Sequence, residues 1–242
     1  MTPEERDAFF TVHRDLPREG PGEAADVHWA VTQLGLEGSL DVLDAACGPG
    51  ADTLVLAEAL PEASITAMEK TPHFVSETRA RIAQLGPRVR AVEGDMAQPG
   101  GPYDLIWCAG ALYFLGVTSG LQGWRDALKP GGAVVFSEPV LLNTPPNDAV
   151  CAFWEEYPQI TDLAGITAQV TAAGYTGQAH RMIVGAPWEA YYTPMQARID
   201  MLRTQSPDAV LTAALDENQR EIDRWRAAPD QVAYALLIVT PE

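Results

Sequence analysis

From Leu40 onward the chain alternates apolar runs of strand length with segments patterned like helices. That alternation restricts it to a mostly parallel sheet with helices on both faces. The first run, Leu40 to Asp44, enters a glycine loop, Cys47-Gly48-Pro49-Gly50. A helix over Ala51 to Leu60 follows, and Pro61 stops it by removing a helical N–H and crowding the preceding turn. The second strand spans Ser64 to Glu69. Thr71 then reads as an N-cap with Pro72 at the first helical position, and Phe74, Thr78, Ile82 and Leu85 recur every three or four places as far as Gly86-Pro87. The third strand, Arg88 to Val92, runs into Glu93-Gly94-Asp95, and the fourth, Tyr103 to Trp107, ends at Cys108-Ala109-Gly110. Lys129-Pro130-Gly131-Gly132 turns the chain into a fifth strand, Ala133 to Ser137.

The remainder is less regular: a helical stretch over Asn147 to Ala173, a strand near Gln178 to Val184, two more helices and a terminal strand over Val232 to Thr240. The second of those helices reads as starting at Ser206-Pro207, and Leu211, Leu215, Ile222 and Trp225 give it an apolar stripe. A connection of this length before the last strand far exceeds those usual in compact domains, so it reads as a helical insertion. With 242 residues, 47% of them hydrophobic, the chain suits one core with one elaboration rather than two folding units.

Charge narrows the partners. Lysine and arginine number 16 against 33 acids, a formal net charge of −17, and such a surface repels a nucleic-acid backbone. The same field favours a cationic or neutral substrate. The opening MTPEERDAFF lacks the basic and apolar character of an export signal, and no apolar run approaches the roughly 20 residues of a membrane helix. Cys47, Cys108 and Cys151 are odd in number and widely spaced, which suits a reducing compartment and offers no zinc spacing. His13, His28, His73 and His180 show no metal pattern either. The expectation is a soluble, cytoplasmic protein, monomer or homodimer, without metal, membrane or nucleic-acid partner.

A glycine loop between strand and helix lets backbone N–H groups approach a polar ligand at the helix's positive end. Here an acid, Asp44, stands at the mouth of the loop, and Thr53 occupies the place of a third glycine. A dinucleotide pyrophosphate would be repelled there, whereas the ammonium of an amino-acid moiety would be attracted. The loop also lacks the Gly-Lys-Ser/Thr ending of a phosphate-cradling P-loop. Glu69, about 20 residues on, stands where an acid accepts from ribose hydroxyls, and Asp95 where one accepts from an adenine amine. Three acids at the carboxyl ends of consecutive strands lie on the edge where such sheets bind ligands.

These segments resemble the class I S-adenosylmethionine-dependent methyltransferases over Leu40 to Glu138. Val42-Leu43-Asp44-Ala45-Ala46-Cys47-Gly48-Pro49-Gly50 is similar to the family's glycine signature, Glu69 to its ribose acid and Gly94-Asp95-Met96 to its adenine motif. Tyr103-Asp104-Leu105-Ile106-Trp107 and Leu128-Lys129-Pro130-Gly131-Gly132 are similar to the fourth- and fifth-strand signatures. Ala46 departs from the pattern, since the family usually has a glycine there. A narrower likeness to bacterial small-molecule methyltransferases rests on Leu16-Pro17-Arg18-Glu19-Gly20-Pro21-Gly22, on Gly110-Ala111-Leu112-Tyr113, and on Phe153-Trp154 with Tyr157-Pro158.

The resemblance implies a Rossmann-like, doubly wound, seven-stranded α/β sheet, mostly parallel with an antiparallel last strand and a helical insertion between strands 6 and 7. It divides a single domain into an N-terminal helical cap (1–37), a cofactor-binding core (38–184), the insertion (185–231) and the last strand (232–242). S-adenosyl-L-methionine is the implied cofactor. Its implied contacts are Arg18 at the methionine carboxylate, then Asp44, Ala46, Cys47, Gly48, Gly50, Glu69, Lys70, Asp95, Met96, Cys108 and Ala109.

Methyl transfer from a sulfonium is an in-line displacement, so the protein chiefly holds donor and acceptor at near-attack geometry. An amine or hydroxyl acceptor also needs a base, and His13, Tyr113 and Glu138 are the candidates. Tyr113, Trp154, Tyr157, Trp188, Tyr191 and Tyr192 are the candidate walls of an acceptor pocket for a small molecule methylated at N, O, S or C. Two other readings stand beside this one. A non-catalytic S-adenosylmethionine-binding protein would keep the same loop, and an NAD(P)-dependent oxidoreductase is disfavoured by Asp44 and the missing third glycine.

Overall fold

A computed structural model describes all 242 residues. Five parallel strands, β1 (Asp41–Ala45), β2 (Ser64–Glu69), β3 (Val89–Glu93), β4 (Tyr103–Cys108) and β5 (Leu128–Leu141), are followed by the short β6 (Thr161–Asp162), then β7 (Tyr175–Val184) and β8 (Val232–Pro241). The sheet order is β3-β2-β1-β4-β5-β8-β7, with β6 pairing beside β5, and β8 runs antiparallel to both β5 and β7. The seven strands expected form the sheet's main path, and the two-residue β6 beside β5 makes an eighth. The chain leaves β1 toward β2 on one side and returns to β4 on the other, so β1 and β4 frame the topological switch point.

Successive strand residues face opposite layers, as a pleated strand requires. Val42, Leu105 and Val135 join one core cluster while Leu43, Ile106 and Val134 join the other. The first layer holds α1 (Pro3–His13), α2 (Ala24–Leu34), α3 (Ala51–Ala59) and α4 (Pro72–Ile82), and also α8 (Ala186–Arg203) and α9 (Ala209–Arg226). The second layer is built by α5 (Val117–Trp124) and α7 (Leu163–Ala172), around Leu121, Trp124, Ile166 and Val170. Both faces of the central strands are buried, which is why β1, β2, β4, β5 and β8 read as near-continuous apolar runs, whereas the edge strands β3 and β7 are partly exposed.

Several local expectations are corrected. The helical stretch over 147–173 is two helices, α6 (Asp148–Phe153) and α7, separated by a turn through Tyr157-Pro158 and by β6. Pro158 cannot continue a helix, and Asp162 restarts one by accepting from the Gly165 N–H at 2.8 Å. Helix α9 begins not at Ser206-Pro207 but at Asp208, whose carboxylate caps the Leu211 N–H at 2.8 Å, while Ser206 turns the chain at φ 54°. Thr71 holds the N-cap position of α4 without a side-chain cap bond; its own N–H donates to Glu69 Oε1 at 2.7 Å. The residues Lys129-Pro130-Gly131-Gly132 belong to β5 rather than preceding it.

No helix is long and apolar enough to cross a membrane. The α9 stripe is used internally: Leu215, Ile222 and Trp225 are buried in the first core layer together with Trp188, Tyr192 and Val12 of α1. Helices α1, α8 and α9 thus pack against one another within the first layer.

Candidate functional site

The carboxyl ends of β1, β2, β3 and β4 open onto one cavity of about 1430 Å³. At its floor the loop after β1 folds tightly. Ala46 lies in the left-handed region at φ 56° and Gly50 at φ 86°. A Cβ on Gly50 would stand 2.8 Å from Thr78 Cγ2, so only glycine lets the Thr78 side chain approach, and Thr78 Oγ1 then donates to the Gly48 carbonyl at 2.8 Å. The Cys47 N–H bonds the Met68 carbonyl at 3.0 Å and the Gly48 N–H bonds Glu69 Oε2 at 3.1 Å. The end of β2 thereby fixes the loop. Glu69 is the hub: each carboxylate oxygen accepts one backbone N–H, from Gly48 and from Thr71, and each retains acceptor capacity.

Asp44 differs from expectation. It reaches the cavity wall but is only 2% exposed and accepts from Thr53 Oγ1 at 2.5 Å, locking the start of α3 onto β1. Burial, then the neighbouring Asp52, pushes its carboxyl up to about 8, so at neutral pH it is mostly protonated. The carboxylate that instead stands over the loop is Glu19, whose side-chain carbons lie 3.6–3.7 Å from where a Gly48 Cβ would be. Its Oε2 meets His13 Nδ1 at 2.6 Å, and its Oε1 is buried without a hydrogen-bond partner.

The N-terminal segment is pinned there from both sides. Arg18 pairs with Asp52 at 3.2 Å and donates to the Gly20 carbonyl at 2.6 Å, while Trp107 Nε1 holds the other Asp52 oxygen at 3.0 Å. His13 is buried, stacked on Phe9 and bonded through Nε2 to Asn218 Oδ1 at 3.0 Å. Asn218 Nδ2 donates to the Ala214 carbonyl, so Oδ1 must accept and His13 Nε2 must carry a proton. A single further proton is then shared between His13 Nδ1 and Glu19. His13 is therefore a tie between α1 and α9 rather than a free base.

On the far side of the loop, Asp95 accepts from the Ala97 N–H and from Lys70 Nζ, both at 2.9 Å, which holds its carboxyl below the usual range. Both side chains are open to water. Met96 and Ala109 line the cavity between this rim and β4.

The opposite end of the cavity is aromatic. Tyr113, Trp154, Tyr157, Trp188, Tyr191 and Tyr192 all line it, joined by Tyr234 of β8. Tyr113 and Tyr157 meet at 5.6 Å between ring centroids, Trp154 stacks on Tyr234 at 6.0 Å, and Tyr191 leans on Tyr192 at 5.0 Å. Trp188 is 2% exposed, stacks on Trp225 and gives its indole N–H to the Ile183 carbonyl, so it serves as a packing plate behind the pocket. Glu138 is buried behind Tyr157, whose hydroxyl donates to Oε1 at 2.8 Å; Oε2 has no partner. Desolvation carries Glu138 up to about 7 and Tyr113 up to about 12, while Tyr157 is raised by burial and then by the Glu138 charge.

Residues 42–132 match the model of a methyltransferase domain. A trans-aconitate 2-methyltransferase of Mycobacterium tuberculosis is 32% identical over 166 residues, 67% of this chain and 58% of that protein. A protein of the same name from Streptomyces avermitilis is 32% identical over 112 residues, 43% of this chain and 40% of its own. The chain thus spans about half the length of the curated relatives it matches. Among solved structures, a SAM-dependent methyltransferase from Geobacter sulfurreducens in complex with S-adenosyl-L-homocysteine superposes with a TM-score of 0.85 at 18% identity, covering 98% of each chain. Residues 42–132 are thus a methyltransferase domain, and the chain is similar to S-adenosylmethionine-dependent methyltransferases.

The methyltransferase loop fits that cofactor on its own chemistry. Glu19, Asp52 and Glu69 surround it with Arg18 as the sole arginine, the buried Asp44 beneath them being mostly protonated, and the orphaned Glu19 oxygen is an acceptor in want of a cation. An ammonium and a sulfonium suit such a mouth; a pyrophosphate does not.

Of the contacts read from sequence, Arg18, Asp44, Ala46, Cys47, Gly48, Glu69, Lys70, Asp95, Met96 and Ala109 line the cavity. Gly50 and Cys108 do not. Gly50 is turned toward Thr78, and Cys108 is fully buried in the second core layer. The expected bases divide likewise, since His13 and Tyr113 line the cavity and Glu138 stands one residue behind it. Glu19 and Asn218 also line the cavity and were not expected from the sequence. The signal for Asn218 was present, because a polar residue interrupts the spacing of Leu215, Ile222 and Trp225.

Proposed function

We propose that this chain transfers the methyl group of S-adenosylmethionine to a small-molecule acceptor held against the aromatic end of the cavity. One observation carries the reading: a single cavity runs without interruption from the acid-lined glycine loop to the tyrosine-rich wall. The cofactor, when bound, supplies an electrophilic methyl on a sulfonium, and the chain's own task is to hold two reactants in line and exclude water. Arg18, Glu19 and the Gly48 backbone are assigned to the amino-acid end, Glu69 to the ribose, and Asp95 with Met96 to the adenine.

Tyr157 and Glu138 are assigned the proton. Tyr157 keeps its own proton near neutral pH and presents an O–H that Glu138 can draw on, while Glu138, poised near 7, is the group able to take one up. Tyr113 is assigned to the acceptor wall and His13 to positioning. The acidic mouth weighs against NAD(P), and the aromatic end, which a mere binding protein would not need, weighs against a non-catalytic role.

Calorimetric titration with S-adenosylhomocysteine, with NAD as the control ligand, tests the reading. Micromolar binding of the first alone is expected. Binding of NAD, or of neither by the folded protein, would overturn it.

A further inference from the structure

The acceptor end of the cavity is acidic as well as aromatic. Glu155, Glu156, Glu217 and Glu221 line it against Arg220 and Arg224, and Arg224 is already taken by Glu155 at 2.9 Å. The remaining charges sum to negative. Glu221 is the most telling of them. Its side chain lines the cavity and is exposed to solvent there, and its Oε1 accepts from the Tyr192 hydroxyl at 2.8 Å. No lysine or arginine pairs with it. Burial raises its carboxyl, the Tyr192 bond and His13 act against that rise, and Glu156 and Glu217 add to it. A carboxylate held this way, with a ring on one side and like charges on the other, lacks only a cation.

Resting on the methyltransferase reading above, we propose that the acceptor is an arylalkyl or alkyl amine that enters as its ammonium, placing that charge on Glu221, which the buried Tyr192 holds through its hydroxyl, and its apolar body along Tyr191 and Tyr234. The aromatic faces add cation–π attraction to the carboxylate's. A second, separate feature agrees. Glu138 lies across the same wall with Oε2 unpartnered, and its Tyr157 link reaches the cavity. An ammonium cannot attack until it loses a proton, and this pair accepts it: Tyr157 passes its hydroxyl proton to Glu138 and takes one from the ammonium. The freed nitrogen lone pair then forms the N–C bond, the C–S bond breaks with its electron pair going to sulfur, and the positive charge moves from sulfur to nitrogen. No other reactant is required. A polycarboxylate such as the one named for the curated relatives would meet Glu156, Glu217 and Glu221 at close range.

The test is calorimetric, on the whole chain saturated with S-adenosylhomocysteine. 2-Phenylethylammonium and 3-phenylpropionate have like shape and opposite charge, and trans-aconitate is the third probe. The ammonium is expected to bind about tenfold or more tightly than either carboxylate, and E221Q to lose about tenfold for it while its affinity for S-adenosylhomocysteine is unchanged. That unchanged affinity also reports that the variant is folded. Equal or tighter binding of a carboxylate, no binding of the ammonium to the loaded protein, or indifference to E221Q would each overturn the proposal. Failure of S-adenosylhomocysteine itself to bind is a different result, because it removes the methyltransferase reading and this one with it.

Discussion

Replacing Glu138 by glutamine isolates the cost of burying a carboxylate at the reaction end of the cavity. An ordinary glutamate titrates near 4.5, and burial lifts Glu138 to about 7. A carboxyl whose folded value is raised contributes its stability below the unfolded value, and loses it as pH climbs through the folded one. Between about pH 4.5 and 7 the wild type should therefore fall behind the variant progressively. At roughly 1.4 kcal/mol per unit the gap should reach about 3 kcal/mol above pH 7. The side chain is only 4% exposed, so solvent screening removes little of this.

Glutamine keeps an oxygen for the Tyr157 hydroxyl, so the hydrogen bond survives the exchange. Urea unfolding of both proteins, followed by tryptophan fluorescence at pH 5 and pH 8, gives the two differences. E138Q should be nearly equal to wild type at pH 5 and more stable at pH 8, while methyl transfer falls. A gap that does not change with pH would refute the assignment of a raised, uncompensated carboxyl.

Ala46→Gly should raise the thermal midpoint slightly: relief of the left-handed alanine gains about 1–2 kcal/mol, and glycine's freedom in the unfolded chain returns about 0.4–1. Calorimetry should show S-adenosylhomocysteine bound at least as tightly. Glu69→Ala should weaken that binding by about tenfold or more, since it frees the Gly48 and Thr71 N–H groups as well as removing the ribose acceptor; unchanged affinity would count against the cofactor site. Trp188→Ala should cost about 3–5 kcal/mol in urea unfolding, because the ring is packed on Trp225, whereas Tyr191→Phe should leave unfolding unchanged and alter turnover.

Strands β1, β2, β4 and β5 were legible because each is buried on both faces over most of its length and so announces itself as an apolar run between turn residues, while the edge strand β3 shows the alternation of a half-exposed one. Glu69 and Asp95 were legible because the ends of β2 and β3 fix where an acid must point. Asp44 was read at the mouth of the loop, where it lines the cavity, but its bond from Thr53 was not. Nothing in the local sequence tells whether a strand-end carboxylate turns to the ligand or to Thr53. The start of α9 failed for a related reason, since Ser206, Pro207 and Asp208 all carry start signals and only the backbone angles choose among them. Glu19 and Glu221 belong to segments otherwise indistinguishable from solvated, acidic surface. Their meaning arises from tertiary packing, which brings α1 and α9 together across 205 residues through His13 and Asn218.

Strand β8, which follows the other seven in the chain, lies inside the sheet, hydrogen-bonded on both edges, and its residues from Val232 to Val239 are all buried. During synthesis β5 and β7 have no common neighbour until it emerges. The ribosome must first deliver the whole of α8 and α9, a wait of about 2–10 seconds at roughly 5–20 residues per second. Throughout that interval two strand edges and the faces destined for α8 and α9 stay open to other nascent chains. The acidic surface then acts as a guard, because like-charged polypeptides repel one another before they can pair edge to edge.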